Sequence, residues 1–329
     1  MAFTRPFLLA TLLSLSVVAC GSDPQNTVIT PEGTHHHYVA NKALVPATNT
    51  LAKEYGLDLG ASDSNKPDGT IDNQLGMVLS TLASMGFKLQ ESLDLAVNQG
   101  NIILLVDFQA KDLTSASAAG VQVYLGDKAT AMPAPCNGSA DMTCAHHLAG
   151  TGMFTISASS PTNAALAGAI AGGTFAGGPG NITLQIALGG TGAITLDLIG
   201  ARAKISGVTD TTIGSAILGG LLTQTDLNTK VLPAIQAQLG PIITRDCNML
   251  TAPPGCGCTA GSTGRTLLDL FDKAPVDCAV SVAEIQANSL IHSLLAPDVC
   301  STATCTQPDA LSLGIKLTAV AGTFTPAGQ

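Results

Sequence analysis

The chain has few charged residues, few aromatic residues and no tryptophan. Only 11% of its 329 residues are charged, and 14 lysines and arginines face 23 acidic residues, which gives a formal net charge of −9. Because contacts to nucleic-acid phosphates need cations, this balance argues against a nucleic-acid partner. It also gives no electrostatic attraction to an anionic membrane surface.

Short motifs that carry known chemistry are also missing. The sequence contains no GxSxG nucleophile elbow, no HExxH motif and no P-loop. No two cysteines are spaced as CxxC, and CGC at 256–258 is a poor tetrahedral chelate for zinc. These absences favour a non-enzymatic protein. A hydrolase whose serine, histidine and acid are distant in sequence is the alternative, because such sites are recognised by geometry.

The residues that are abundant indicate a β-rich exported protein. Hydrophobic residues make up 46% of the chain and there are 35 glycines. This composition suffices for a sizeable core and argues against intrinsic disorder.

The first twenty residues indicate export. Residues 7–19 are apolar, and these 13 residues are too few for a transmembrane helix, which needs roughly 20. The end of this stretch, VVAC at 17–20, resembles the lipobox of bacterial lipoproteins. The resemblance implies cleavage before Cys20 and its acylation with three chains, palmitate among them, enough for stable anchoring. Gly21, in place of Asp, implies the outer membrane by that family's sorting rule. The alternative is an ordinary signal peptide that leaves Cys20 as a free thiol.

The other cysteines predict disulfide bonds. Eight remain after Cys20, and an even number in an exported chain is typical of disulfides. Cys136 and Cys144 flank one short loop, and Cys300 and Cys305 flank another, so each pair is expected to form a bond. The other four cysteines are then expected to pair among themselves, in an order that the sequence leaves open; they are Cys247, Cys256, Cys258 and Cys278.

Periodicity predicts an α+β fold. Apolar residues recur at three- and four-residue steps from Leu75 to Val97, which indicates a helix. From about 117 to 222, short apolar runs recur every 8 to 12 residues, which indicates an antiparallel meander. We therefore expect a curved sheet or sandwich packed against helices, with a small C-terminal helical subdomain that resembles an EF-hand.

The predicted segments follow from these patterns. They are a signal peptide at 1–19, a lipid-anchored linker at 20–50, an α+β main domain at 51–246, a disulfide-rich helical region at 247–308, and C-terminal strands at 309–329 that return to the main sheet.

A loop rich in acidic residues predicts a calcium site. Calcium prefers six to eight oxygen ligands, and the stretch DSNKPDGTIDNQLG at 63–76 supplies several around Gly69. It resembles the calcium loops of the EF-hand, dockerin and thrombospondin type 3 families, with one extra residue and no terminal glutamate. The predicted ligands are Asp63, Asn65, Asp68, Thr70 and Asp72, with Asp58 as a further candidate. The alternative is a solvated turn before a helix.

A second, weaker calcium site is predicted near the C-terminus. Residues 270–295 resemble a degenerate EF-hand in which Asp272, Asp277 and Glu284 are the candidate ligands. Lys273 and Pro275 occupy two ligand positions of that motif, and Cys278 stands at its turn glycine.

Phrases such as LDLIGARAKI and NSLIHSLLAPDV are similar to those of an uncharacterised family of predicted lipoproteins from predatory or social soil proteobacteria. That resemblance implies no activity. The run His35–His37 suits a transition metal, or is simply an exposed polar segment.

Together these features predict a lipoprotein anchored in the outer membrane with a non-enzymatic binding or structural role, stabilised by calcium and disulfides. The alternative is a carrier of lipid or another apolar ligand, because the order of elements is similar to that of tubular lipid-binding proteins. The protein or ligand partner is not predicted.

Overall fold

Eight antiparallel strands form a closed barrel. The computed structural model describes residues 29–60, 68–162, 164–188, 193–248, 253, 255–302 and 304–325. The barrel strands are β1 (Thr34–Leu44), β2 (Leu104–Ala110), β3 (Ala116–Leu125), β5 (Ala165–Ala171), β6 (Thr174–Ile186), β7 (Ile194–Val208), β8 (Thr212–Thr223) and β9 (Ala310–Thr323). They pair in this order, and β9 pairs with β1 to close the ring. A short strand, β4 (Gly152–Met153), adds to β9 in parallel.

The predicted α+β arrangement is wrong, because the sheet closes on itself and the fold is mainly β. Closure depends on β1, which pairs with β2 on one side and β9 on the other. This strand lies within the range 20–50 that the sequence assigned to a linker. Its three histidines and its asparagine hide the period-2 pattern of a strand, so local sequence did not reveal it. A closed barrel leaves no unpaired strand edges.

The two ends of the barrel differ in their connections. At the hairpin end, short turns join β2 to β3, β5 to β6 and β7 to β8. Gly172 and Gly173 form the β5–β6 turn with φ values of 56° and 72°, which suit a two-residue turn. At the helical end, the longer segments join β1 to β2, β3 to β5 and β8 to β9.

The helices lie in two of these longer segments. Between β1 and β2 are α1 (Asn49–Glu54), α2 (Gln74–Ser84) and α3 (Leu89–Asn98). Between β8 and β9 are α4 (Gln224–Asp226), a π-helical segment (Leu227–Val231), α5 (Leu232–Asp246), α6 (Thr263–Phe271), α7 (Val282–Ala287) and α8 (Ser289–Leu294). Three-residue 3₁₀ turns at Lys128–Thr130 and His146–Leu148 lie between β3 and β5. In the described part of the chain, no helix is long and apolar enough to cross a membrane.

Side chains fill the barrel interior. Residues of six strands surround an enclosed cavity of about 10 Å³, among them Ala40, Val106, Val121, Ile205 and Leu317. The apolar faces of α2, α3, α5 and α6 join the same core.

Two segments cover parts of the outer wall. The first cover (residues 126–157 and 324) packs Phe154 and Phe324 against Val39, Leu105 and Tyr124, the outward residues of β1 to β3. The second cover (residues 57–60, 68–73, 298–302 and 304–310) packs on the outward face of β8 through a cluster of four buried residues. They are Leu59, Leu221, Val299 and Ala310.

Four disulfide bonds are present, and they confirm the predicted pairs. Cys136 bonds Cys144 within the first cover, and Cys300 bonds Cys305 within the second. The remaining bonds join Cys247 to Cys258 and Cys256 to Cys278 in the region between α5 and α7.

Candidate functional site on the outer wall of the barrel

Alternation along β1 sorts its histidines onto two faces. Val39 contacts the first cover, whereas Tyr38 lies in the main core, so Val39 faces outward and Tyr38 inward. Because side chains alternate with period two, His35 and His37 share the outward face and His36 faces inward. The inward hydroxyl of Tyr38 donates a 2.6 Å hydrogen bond to the carbonyl of Thr209 in the β7–β8 turn.

A carboxylate on the neighbouring strand completes the cluster. Asp107 of β2 stands directly opposite His37 in the strand register, and its side chain is only 4% exposed. The Nδ1 atom of His35 lies 2.9 and 3.0 Å from the two carboxylate oxygens. The Nε2 atom of His37 lies 3.6 Å from Oδ1 of the same carboxylate, too far for a good hydrogen bond.

The ring of His37 is held in place by packing. It stacks on Phe324 with ring centroids 4.5 Å apart. Its Nε2 atom is buried and has no hydrogen-bond partner among the residues that the structure describes. Burial lowers the pKa of His37, and the charges of His35 and His36 add to this, while Asp107 opposes it. The net effect favours the neutral form of the imidazole.

These three side chains form a compact set of metal-binding atoms. Within the described ranges, His35, His37 and Asp107 are the one group of three such residues whose ligand atoms all lie within 4.8 Å of one another. Imidazole suits zinc, copper, iron and nickel, whereas calcium and magnesium prefer oxygen ligands alone. The side chain of His35 is 34% exposed, so the cluster is open to solvent on one side.

The other histidines described lie apart from this cluster. His36 lies 3.4 Å from the exposed carboxylate of Asp210. His146 lies 2.8 Å from Asp141 within the loop closed by the Cys136–Cys144 bond. His147 is fully buried beside Phe154, and neither ring nitrogen has a hydrogen-bond partner in the described part of the chain. Burial, with the charges of His146 and Lys128, lowers its pKa to about 4.

The predicted calcium loop is described only in part. Asp63 and Asn65 lie outside the described residues, as does the lipidation residue Cys20. Asp58 accepts hydrogen bonds from the backbone amides of Asp68 (3.0 Å) and Gly69 (2.6 Å). Asp68 in turn accepts one from the amide of Thr70 at 2.7 Å. These bonds are those of a tight turn, and calcium at this loop stays a prediction.

Asp72, the last predicted ligand of that loop, bonds a backbone amide outside the loop. Its carboxylate accepts a hydrogen bond from the amide of Leu59 at 2.8 Å. The pKa of Asp72 is raised to about 6, mainly by burial. The hydrogen bond from Leu59 lowers this pKa, whereas the nearby charges of Asp298, Asp68 and Asp58 raise it.

The candidate ligands of the second calcium site also bond backbone amides. Asp272 accepts from the amides of Asp277 (3.1 Å) and Cys278 (2.9 Å). Glu284 forms a capping box with Ser281 at the start of α7. Asp277 accepts a hydrogen bond from the amide of Ala279 at 3.0 Å. Calcium at this second site likewise stays a prediction.

Sequence reasoning named the histidine run but missed Asp107 and Phe324. A lone aspartate inside the apolar run NIILLVDFQA was the available signal, because a buried carboxylate needs a partner. Nothing local links that aspartate to a histidine 70 residues earlier, or to a phenylalanine near the C-terminus.

No protein-family model, curated protein or solved structure matches this chain.

Proposed function

We propose that this protein is a non-enzymatic, lipid-anchored protein of the outer membrane, and that its barrel is a rigid scaffold that binds ligand on the outer wall. The observation that carries the proposal is the filled interior. The cavity enclosed by six strands measures about 10 Å³, whereas pockets for small molecules measure roughly 300–1,000 Å³. A small molecule therefore does not fit in that cavity, and the proposal places the ligand outside the ring of strands.

The position of β1 relates the anchor to the wall site. Cys20 precedes the first residue of β1, Thr34, by a short segment, and β1 enters the barrel at the hairpin end. Even fully extended, the 14 residue steps from Cys20 to Thr34 reach at most roughly 50 Å. Acylation of Cys20 would hold the hairpin end, and the His35–His37–Asp107 cluster with it, towards the membrane.

A carrier of apolar ligands is the second candidate, and one feature favours it. A pocket of about 280 Å³ lies between the π-helical segment and α8, with Leu227, Leu232, Ile291 and Leu295 among its lining residues. π-helical turns are frequent at functional sites. The volume is too small for a two-chain lipid, so this role would be limited to a small apolar molecule.

Mass spectrometry of the protein purified from its own membranes tests the scaffold proposal. We expect an N-terminal Cys20 that carries three acyl chains, and no stoichiometric lipid in an organic extract of the folded protein. Cys20→Ser should move the protein to the soluble fraction. An unmodified N-terminus would refute the anchor, and one co-purified apolar molecule per chain would favour the carrier instead.

A further inference from the structure

We propose that His35, His37 and Asp107 bind a divalent first-row transition-metal ion, with Zn²⁺ as the reference ion. This inference rests on the outer-wall binding role proposed above and names its ligand class.

The distances between ligand atoms fit a tetrahedral ion. Zinc bonds of 2.0–2.1 Å place neighbouring ligand atoms about 3.4 Å apart. The distances from Asp107 Oδ1 are 2.9 Å to His35 Nδ1 and 3.6 Å to His37 Nε2, one on each side of that value. All three ligand atoms lie within 4.8 Å of one another, so small side-chain rotations suffice to bring them onto one ion.

The strand geometry fixes this arrangement before any ion arrives. His35 and His37 are two residues apart on one strand, and Asp107 is directly opposite His37 on the next. In an antiparallel pair, directly opposite residues have Cβ atoms about 4.5–5.5 Å apart. Stacking on Phe324 orients the His37 ring. Ligands that are held in advance lose little conformational entropy on binding.

The buried nitrogen of His37 is the observation that points to a ligand. An unpaired buried polar atom costs about 1–3 kcal/mol, and folded proteins rarely retain one without a reason. A metal ion beside Asp107 would supply the missing partner of this nitrogen. If this ring served only for packing, a phenylalanine would do so better, because it has no ring nitrogen to leave unpaired.

The donor set determines the class of ion. Two imidazoles and one carboxylate match the ligands of zinc and of other borderline ions, and they disfavour calcium and magnesium. Three protein ligands leave one tetrahedral position, which the exposed side of His35 opens to solvent. The ion would join β1 to β2 near the hairpin end.

Calorimetric titration tests the proposal on the mature acylated protein, which begins at Cys20. The protein is stripped with a chelator and titrated with ZnCl₂ in the presence of excess CaCl₂, which keeps the acidic loops out of the measurement. We expect one Zn²⁺ per chain. His37→Ala and Asp107→Asn should each weaken binding by at least about tenfold.

His36→Ala is the matched control, because this residue neighbours both ligands but faces inward. The affinity of the His36→Ala variant for Zn²⁺ should stay within about twofold of that of the parent protein. Absence of binding in the parent protein, or equal losses in all three variants, would overturn the proposal.

A measurement on the unmutated protein covers the case in which a variant misfolds. Bound Zn²⁺ should protect His35 and His37 from modification by diethyl pyrocarbonate and leave His292 of α8 reactive. Equal reactivity with and without zinc would overturn the site. The acyl mass and the lipid extract of the same preparation report on the scaffold role separately. An acylated, lipid-free protein that binds no zinc would remove the metal site alone.

Discussion

The two covers of the outer wall bury polar groups in opposite ways. In and beside the second cover, the carboxylate of Asp298 accepts hydrogen bonds from Ser312 of β9. The side chain of Asn73 bonds both backbone groups of Gly314. In and beside the first cover, His37 and His147 keep ring nitrogens that lack hydrogen-bond partners among the described residues.

This difference separates a structural network from a binding surface. Hydrogen-bonded polar groups rigidify a fold, whereas unsatisfied ones lower its stability and persist where something else uses them. Beside the second cover, the start of α2 is attached to β9 by hydrogen bonds from Asn73 and Gln74. Beside the first cover, the imidazole of His37 is available on the wall that carries Asp107.

The contact between α2 and β9 should be the most sensitive point of the second cover. Asn73 donates to the carbonyls of Ala52 and Gly314 and accepts from the amides of Gly76 and Gly314. Asn73→Ala should lower the free energy of unfolding by about 4 kcal/mol, because four buried backbone groups lose their partner. Urea denaturation measures this.

Asn137→Ala in the first cover is the matched control, because Asn137 is exposed and bonds His146. It should cost under about 0.5 kcal/mol. Equal losses in the two variants would contradict the contrast between the covers.

His147 should make the first cover sensitive to acid. Its pKa is about 4 in the folded protein and about 6.5 when unfolded, so the unfolded chain binds the proton first. Stability should fall as pH drops from 6.5 to 4, by up to about 3 kcal/mol. His147→Leu should remove this part of the pH dependence in urea titrations between pH 4 and 7. The exposed His292→Leu should leave it unchanged, and an unaltered profile in His147→Leu would refute the assignment.

Replacing His37 should stabilise the metal-free protein. His37→Phe keeps the stacking on Phe324 and removes the unpaired buried nitrogen, so the free energy of unfolding should rise by about 1 kcal/mol. His35→Phe should instead lower it, because the bond from His35 to Asp107 is lost. Thermal unfolding in the presence of a chelator distinguishes the two. A loss of stability in His37→Phe would show that its nitrogen is satisfied.

The smallest expected effect concerns Asp72 in the second cover. Its folded pKa of about 6 exceeds that of an unfolded aspartate, so the folded protein holds the proton longer. Its contribution is present below pH 4 and is lost as pH rises through 6, opposite in sign to that of His147. Asp72→Asn should gain under about 1 kcal/mol at pH 7, since solvent screens this half-buried group. No gain at pH 7 together with an unchanged pH profile would contradict the raised pKa.

Local patterns predicted individual parts of this molecule better than their assembly. The meander from β5 to β8 is visible as apolar runs between turns, and the two short cysteine loops predicted their own bonds. The helix expected from Leu75 to Val97 is two helices, because Gly86 adopts a φ of 93° and ends the first. Of the wall site, only the histidines were visible.

Close packing between distant segments also has no local signal. A Cβ atom on Gly314 of β9 would lie 2.3 Å from the carbonyl oxygen of Tyr55, so α1 and the following loop approach this strand only because it has no side chain there. From the sequence alone, Gly314 cannot be distinguished from any other glycine in a strand.

The sequence by itself determined the two short disulfide loops, the small number of cations and the run of strands, because these depend on composition and on short spacings. Only the tertiary structure decided that the sheet closes and that His37 meets Asp107. Cross-strand register arises from pairing along the whole ring, and the residues it brings together are far apart in the chain.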